Sequence, residues 1–386
     1  MRRWMIGMTA LALSACATGP METPQAATVS TPRTPAPIND GGMLFWDQAT
    51  RTDRFRHLED FYPGLEVAGA PRVRDLPKGT PLGAETIARI APLLETINAA
   101  GIMVLQDGKV RYEHYRLGLR PDQRWTSFSV AKSFTSTLLG AAVKDGAITL
   151  SDPVTRYLPG LAGTAYDGVT VEEVATMTSG VKWNEDYADS NSDVARMLSV
   201  APVPGEPQSV TFAKTLTREA PAGSKWVYKT LETNLLGDIV AAATGKSLTA
   251  YAKQKIVDPA GFAGGLFWMT DLTGRNIGGC CLSVRLSDYA RMGQWVLEGA
   301  QPSVPAGWIG QATGKRVDIG GGGGYGYQWW TNPVGFGAQG IFGQYITVVP
   351  DKRLVIAVVS SHPTATSKTL SQARLELWNA VADGVQ

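Results

Sequence analysis

The chain has 386 residues, of which 36 are Lys or Arg and 34 are Asp or Glu, a formal net charge of +2 at pH 7. Charges so nearly cancelled, with no Lys/Arg stripe, give nucleic-acid binding no electrostatic support and argue against a strongly charged substrate groove. Of the 3 cysteines, Cys16 stands alone and Cys280 and Cys281 are adjacent, which leaves no set of ligands for a metal site.

Residues 1–16 read Met-Arg-Arg, an apolar run, then Leu13-Ser14-Ala15-Cys16. A positive start, a short apolar region and small residues before the cleavage point fit an export signal, and the run is too short to span a bilayer permanently. Leu-Ser-Ala-Cys resembles the lipobox of bacterial lipoproteins. That resemblance implies a signal peptide over 1–15, lipidation of Cys16 and a membrane-anchored chain in the periplasm. A plain secretory signal that contains a cysteine is the alternative. Ala17, where an Asp would suggest inner-membrane retention, favours the outer membrane. Residues 16–42 are rich in Pro, Thr, Ala and Ser; they lack the apolar surface to offset ordering entropy and form a flexible tether.

From residue 43 the chain is globular and long enough for a large core. Residues 102–117 predict a hairpin turning at Asp107-Gly108. A helix is predicted over 129–144, with Thr126 or Ser127 as N-cap and Gly146 at the C′ position. Residues 171–177 predict a short helix, followed by an irregular stretch carrying Trp183 and Tyr187. Helical patterns return over 235–243, 247–256 and 287–297. Gly320 to Gly324 is a five-glycine run; aromatic strand sequence follows it rather than a helix, so it is expected as a mobile loop and not a phosphate cradle. Residues 344–349 and 354–360 predict strands around a Pro350-Asp351-Lys352 turn, and 367–381 a closing amphipathic helix. Strands early and late, with helices between, imply an α+β fold whose antiparallel sheet is built from both ends of the chain. Cys280 and Cys281 are expected as two buried thiols, because neighbouring residues make a strained disulfide.

Three stretches carry chemistry. Ser129-Val-Ala-Lys132 opens the first long helix, and residues three apart share a helix face. A serine hydroxyl needs a neighbouring base. A lysine can serve when burial and the helix N-terminus lower its pKa, and free N–H groups there can face an oxyanion. An ordinary N-terminal helix serine beside a solvated lysine is the alternative. A second match, Ser179 to Lys182, carries Gly180 inside it and is read as a loop. The next stretch is Pro221-Ala-Gly-Ser-Lys-Trp-Val-Tyr228-Lys229-Thr230, where a tyrosine near a lysine ammonium can have a lowered pKa and pass protons. The last is Ala338-Gln-Gly340-Ile341, where glycine before a strand allows close backbone approach.

In this order the three stretches resemble the serine β-lactamase and penicillin-binding-protein superfamily. Trp-Thr-Ser-Phe-Ser-Val-Ala-Lys, Met-Thr-Ser-Gly-Val-x-Trp, Cys-Cys-Leu-Ser-x-x-x-x-Asp-Tyr-Ala-Arg and Tyr-Gly-Tyr-Gln-Trp-Trp narrow it to class C β-lactamase-like esterases and 6-aminohexanoate-dimer hydrolases. The likeness runs from about residue 45 to the C-terminus. It implies an antiparallel sheet flanked by helices (about 43–140 and 300–386) plus a mainly helical part (about 141–299), with the site between them. It implies Ser129 as acylated nucleophile, Lys132 as its base, Tyr228 as proton relay, and an oxyanion hole of the Ser129 and Ile341 N–H groups beside Gly340. Tyr187 would contact the scissile amide, and Trp183, Trp329 and Trp330 would line an apolar cleft. No metal or cofactor is implied.

Two departures narrow the substrate. The family's third motif begins with Lys or His, a cation that holds a substrate carboxylate; Ala338 stands there. The family's Tyr-x-Asn is Tyr228-Lys229-Thr230 here, without the amide that holds a β-lactam side chain, though the Thr230 hydroxyl can still position Lys132. Both point toward hydrolysis of small esters or amides, and esters rank above amides because their leaving groups need less proton assistance. A D-amino-acid peptidase or β-lactamase is the runner-up, and a non-catalytic binding lipoprotein of the same fold is the alternative from another class. A histidine-based hydrolase is disfavoured: there is no G-x-S-x-G elbow.

Overall fold

The structure is a computed structural model that describes Met1, residues 42–332 and residues 334–385. The expected signal peptide, Cys16 and nearly all of the tether lie outside the described residues. The strands are β1 (Gly64–Val67), β2 (Ala99–Gln106), β3 (Lys109–Tyr115), β4 (Arg124–Thr126), β5 (Leu266–Met269), β6 (Leu282–Arg285), β7 (Val317–Gly320), β8 (Gly323–Tyr325), β9 (Trp330–Asn332), β10 (Gly335–Gly340), β11 (Gln344–Val349) and β12 (Leu354–Ser360). Eight of them form one antiparallel sheet in the order β3-β2-β12-β11-β10-β9-β8-β7. The other four make a small sheet, β1-β5-β6-β4.

β2 and β12 are buried along their whole length, and the period of two assigns alternate residues to separate cores. Met103, Leu105, Val355, Ala357 and Val359 join the larger core, under the helices Val130–Lys144 and Leu286–Leu297. Ile102, Val104, Leu354, Ile356 and Val358 face a second core, closed by the helices Ala84–Thr96 and Lys368–Asp383. The sheet is therefore sandwiched between helices, and its centre pairs an early strand with a late one.

The hairpin turns at Asp107 and Gly108, both at positive φ (51° and 74°), the two-residue turn that suits strand twist. The helix Val130–Lys144 ends before Gly146, which takes φ 73° as a C′ residue should. The closing helix Lys368–Asp383 is capped by Ser367. The glycine run departs from expectation. It is not a loop but the turn and start of the β7–β8 hairpin, with Gly320, Gly321 and Gly322 all at positive φ (82°, 60° and 79°). Three consecutive residues at positive φ are strained for any side chain but not for glycine, so the run makes a tight turn. Residues 141–299 contribute β5 and β6 in addition to the helices expected there, and one of those helices, Leu286–Leu297, packs on the large sheet.

Cys280 and Cys281 are also corrected. They are joined as a vicinal disulfide.

Candidate active site

Ser129 lies where β4 gives way to the helix Val130–Lys144. Neither expected N-cap holds the helix. Ser129 itself takes the N-cap position and makes no capping bond, so its hydroxyl is not spent on the helix backbone. Ser127 Oγ instead donates to the Phe128 carbonyl (2.9 Å) and accepts from Leu282 N (3.0 Å). Phe128 sits at φ 43°, a conformation that a bulky residue holds only under constraint. The constraint is its ring, packed 5.0 Å from Phe55 and 5.1 Å from Phe342 between centroids.

One helical turn on, Lys132 Nζ is 3.3 Å from Ser129 Oγ, 3.0 Å from Thr230 Oγ1 and 2.8 Å from the Gly279 carbonyl. A neutral amine has two N–H donors and one lone pair. Gly279 and Thr230 take the donors, which leaves the lone pair for the Ser129 proton. Lys132 is 1% exposed and Ser129 9%: the amine is sealed while the hydroxyl is reached from the cleft. Burial pushes the Lys132 ammonium from 10.5 down to about 7, against the opposing pull of the Glu185 carboxylate.

Tyr228 hydrogen-bonds Ser129 and its ring lies 5.2 Å from Lys132 Nζ. The expectation of a lowered tyrosine pKa does not hold. Burial first, and Glu185 second, push the Tyr228 hydroxyl well up, so it stays a protonated phenol. The neighbouring Lys229 is no help, since it turns away into a fully buried ion pair with Glu232 at 3.5 Å. Tyr228 is held by stacking on Trp330 (5.4 Å between centroids, 26° between planes).

Across the cleft, β10 runs hard against the start of the Ser129 helix. A Cβ on Gly340 would fall 2.5 Å from Ser127 O and 3.2 Å from Ser129 N, closer than packed atoms come. Glycine alone lets the strand approach this closely, and the next residue, Ile341, lines the same cleft as Ser129. The backbone N–H of neither residue donates to an acceptor among the described residues, the arrangement needed to receive an oxyanion.

The side chain that sequence reasoning missed is Glu185. It accepts from Tyr187 Oη (2.7 Å), Thr230 N (2.9 Å), Thr230 Oγ1 and Trp183 Nε1. Thr230 Oγ1 thus accepts from Lys132 and donates to Glu185, which links base and carboxylate. The signal in the sequence was an acidic residue between two aromatics in an irregular stretch.

Ser129, Glu185, Tyr187, Tyr228, Trp330, Gly340 and Ile341 line one cleft of about 320 Å³, the size of a small-molecule site. The three tryptophans do not all line it. Trp330 does. Trp329 is buried against Phe336 instead (5.8 Å between centroids), because successive strand residues face opposite sides. Trp183 is 8% exposed, stands edge-on to Phe212 and holds Glu185 from behind. Thr230 lies under the floor, buried beside Lys132.

The Beta-lactamase family model matches residues 86–270 and 283–377. The 6-aminohexanoate-dimer hydrolase of Paenarthrobacter ureafaciens is 32% identical over 76% of this chain and 78% of its own length. A Bacillus anthracis structure provisionally assigned as a 6-aminohexanoate-dimer hydrolase superposes with a TM-score of 0.78 at 22% identity, over 91% of this chain and 98% of that one. EstCE1, a hydrolase with promiscuous acyltransferase activity, superposes with a TM-score of 0.62 at 13% identity, over 77% of this chain and 100% of its own. These last two likenesses concern the fold alone. With the family model and the hydrolase relative both spanning most of the chain, this protein belongs to the Beta-lactamase family of serine hydrolases.

Proposed function

We propose that the protein hydrolyses small esters, and more slowly small linear amides, through an acyl-enzyme on Ser129. Ser129 Oγ attacks the substrate carbonyl as Lys132 Nζ takes its proton. The carbonyl oxygen, now an oxyanion, sits between the N–H groups of Ser129 and Ile341. Tyr228 passes the proton to the leaving group as the C–O or C–N bond breaks, and a water then attacks the ester on Ser129 by the reverse path. The observation that carries this reading is the sealed Lys132. It is pushed down to about 7 and has only the direction of Ser129 left unengaged when neutral.

Esters rank first because their leaving groups need less proton assistance, and Tyr228 is a weak acid. Ala338 supports the same ranking, since β10 supplies no cation for a β-lactam carboxylate. The amide relative leaves linear amides open. The test is turnover of p-nitrophenyl acetate and butyrate, with nitrocefin and the 6-aminohexanoate dimer alongside. Ester hydrolysis is expected, with a fall of about 10³-fold or more in Ser129→Ala. A folded wild type that cleaves none of these and takes no fluorophosphonate label would sink the proposal.

Anchoring through a lipid on Cys16, on the periplasmic side of the outer membrane, belongs to the same proposal. It rests on residues 1–16 alone. Cys16→Ala is expected to move the protein from the membrane fraction to the soluble one; unchanged fractionation would refute the anchor.

A further inference from the structure

We propose that Phe55, on the segment that precedes β1, is a positioning residue for the reaction: it wedges two phenylalanines that flank the oxyanion donors, and so fixes the gap between them. This rests on the reading of the cleft as a serine hydrolase site, and adds to it a part of the chain that touches no substrate.

The two donors have the same kind of neighbour. Phe128 precedes Ser129 and Phe342 follows Ile341, and both stand at positive φ (43° and 59°). A bulky side chain keeps such a backbone only where its surroundings dictate it. Here they do so jointly. The Phe128 and Phe342 rings meet at 5.1 Å between centroids, and Phe55 closes the triangle at 5.0 Å from the first and 5.8 Å from the second. All three pairs are tilted or edge-on, as aromatic rings prefer. The three residues are at most 2% exposed, and the lining of the cleft includes none of them. Packing this close leaves no slack, so moving one ring moves the backbone beside a donor.

The same segment grips the backbone on both sides of the hole. On the Ser129 side, the Phe55 carbonyl accepts from Thr126 N at 3.0 Å, three residues before the nucleophile. On the Ile341 side, Arg51 of the short helix Gln48–Arg54 lies over the Phe342 ring, its guanidinium carbon 4.2 Å from the centroid. Its Nη1 donates to the His362 and Pro363 carbonyls at 2.8 and 3.1 Å, and its Nη2 to the Trp46 carbonyl at 2.6 Å. His362 N in turn donates to Phe342 O (3.0 Å), and Phe342 N to Ala365 O (3.1 Å). The loop that pins Phe342 is thus itself pinned by Arg51. Residues four apart share a helix face, so Arg51 and Phe55 hold the two halves of the hole from one side of one short helix. None of the three stretches that carry the chemistry includes this segment.

The test is p-nitrophenyl acetate turnover by the full chain, with butylboronic acid as a mimic of the tetrahedral state. Ser129 Oγ adds to boron, its proton passes to solvent through Lys132 and nothing leaves, so a tetrahedral anion presents an oxygen to the hole. Phe55→Leu is expected to lower kcat by about tenfold to a hundredfold, with KM within about twofold. The boronate Ki should rise by a similar factor, while the pH midpoint of kcat/KM stays in place because Lys132 is untouched. Arg51→Met should act in the same direction, and it decides the matter on the same readouts if Phe55→Leu does not fold. Ile90→Val, in the second core on the other face of the sheet, controls for lost stability. It should lower the urea midpoint yet leave kcat and Ki within about twofold. A folded Phe55→Leu with wild-type kcat, a loss that falls on KM alone, an unmoved boronate Ki, or an equal loss in Ile90→Val would overturn the proposal while the hydrolase reading stands. A wild type that turns over no ester and takes no boronate would sink the hydrolase reading, and this proposal with it.

Discussion

At the scale of single residues, the chemistry turns on how Lys132 is held neutral. Burial lowers its pKa to about 7 and Glu185 raises it. In the proposed mechanism the acylating form is the neutral amine, so kcat/KM should rise with pH through an apparent pKa near 7. Glu185→Gln removes the opposing charge and should move that midpoint to lower pH. A midpoint that stays in place, or moves up, would refute the link. Stability has a sign here too. Unfolded, Lys132 keeps its proton up to about its ordinary 10.5; folded, it loses it near 7. Between those values the unfolded chain binds more protons, so stability rises with pH across that window, and Lys132→Met should flatten the rise in a pH series of urea midpoints. Ser129, Lys132 and Tyr228 were legible because their spacing along the chain is itself a pattern. Glu185 was not, because its role comes from four donors, two beside it at Trp183 and Tyr187 and two on the distant Thr230.

At the scale of elements, the working geometry is a strand laid against a helix start. Gly340→Ala would force β10 away from Ser127 and Ser129 and widen the gap between the two oxyanion donors. A loss of one such donor costs about 10²- to 10³-fold in kcat. The expected result is a fall of that order with little change in KM for p-nitrophenyl acetate. A variant as active as the wild type would show that the two N–H groups do not act together. The hairpin at Asp107-Gly108, the strands around Pro350 and the helix capped by Ser367 were all readable, since each is punctuated by residues with a fixed backbone preference. The glycine run was misread because composition shows freedom, whereas pairing with β8 decides what that freedom is used for. The N-cap was misread for a similar reason: Thr126 and Ser127 are good caps by type, but pairing of β4 with β6 and the forced turn at Phe128 carry the chain past them.

At the scale of the whole molecule, the sheet is closed by strands from opposite ends. β2 pairs with β12, from Leu354 opposite Gln106 to Ser360 opposite Ala99. That arrangement was foreseeable from early and late strand patterns, but its register was not, since both faces of β2 and β12 are apolar and alternation gives no sign of which face meets which core. The pairing has a consequence during synthesis. Ser129 and Lys132 are made long before Ile341, and the sheet that seats Ile341 cannot close until residues 354–360 are available. Contacts so far apart in sequence form late. The emerging chain is therefore expected to be silent towards ester probes: fragments ending before residue 335 should take no fluorophosphonate, and labelling of such a fragment at Ser129 would contradict this order of assembly. A hydrolase so arranged is expected to stay inactive until its last strands have been made.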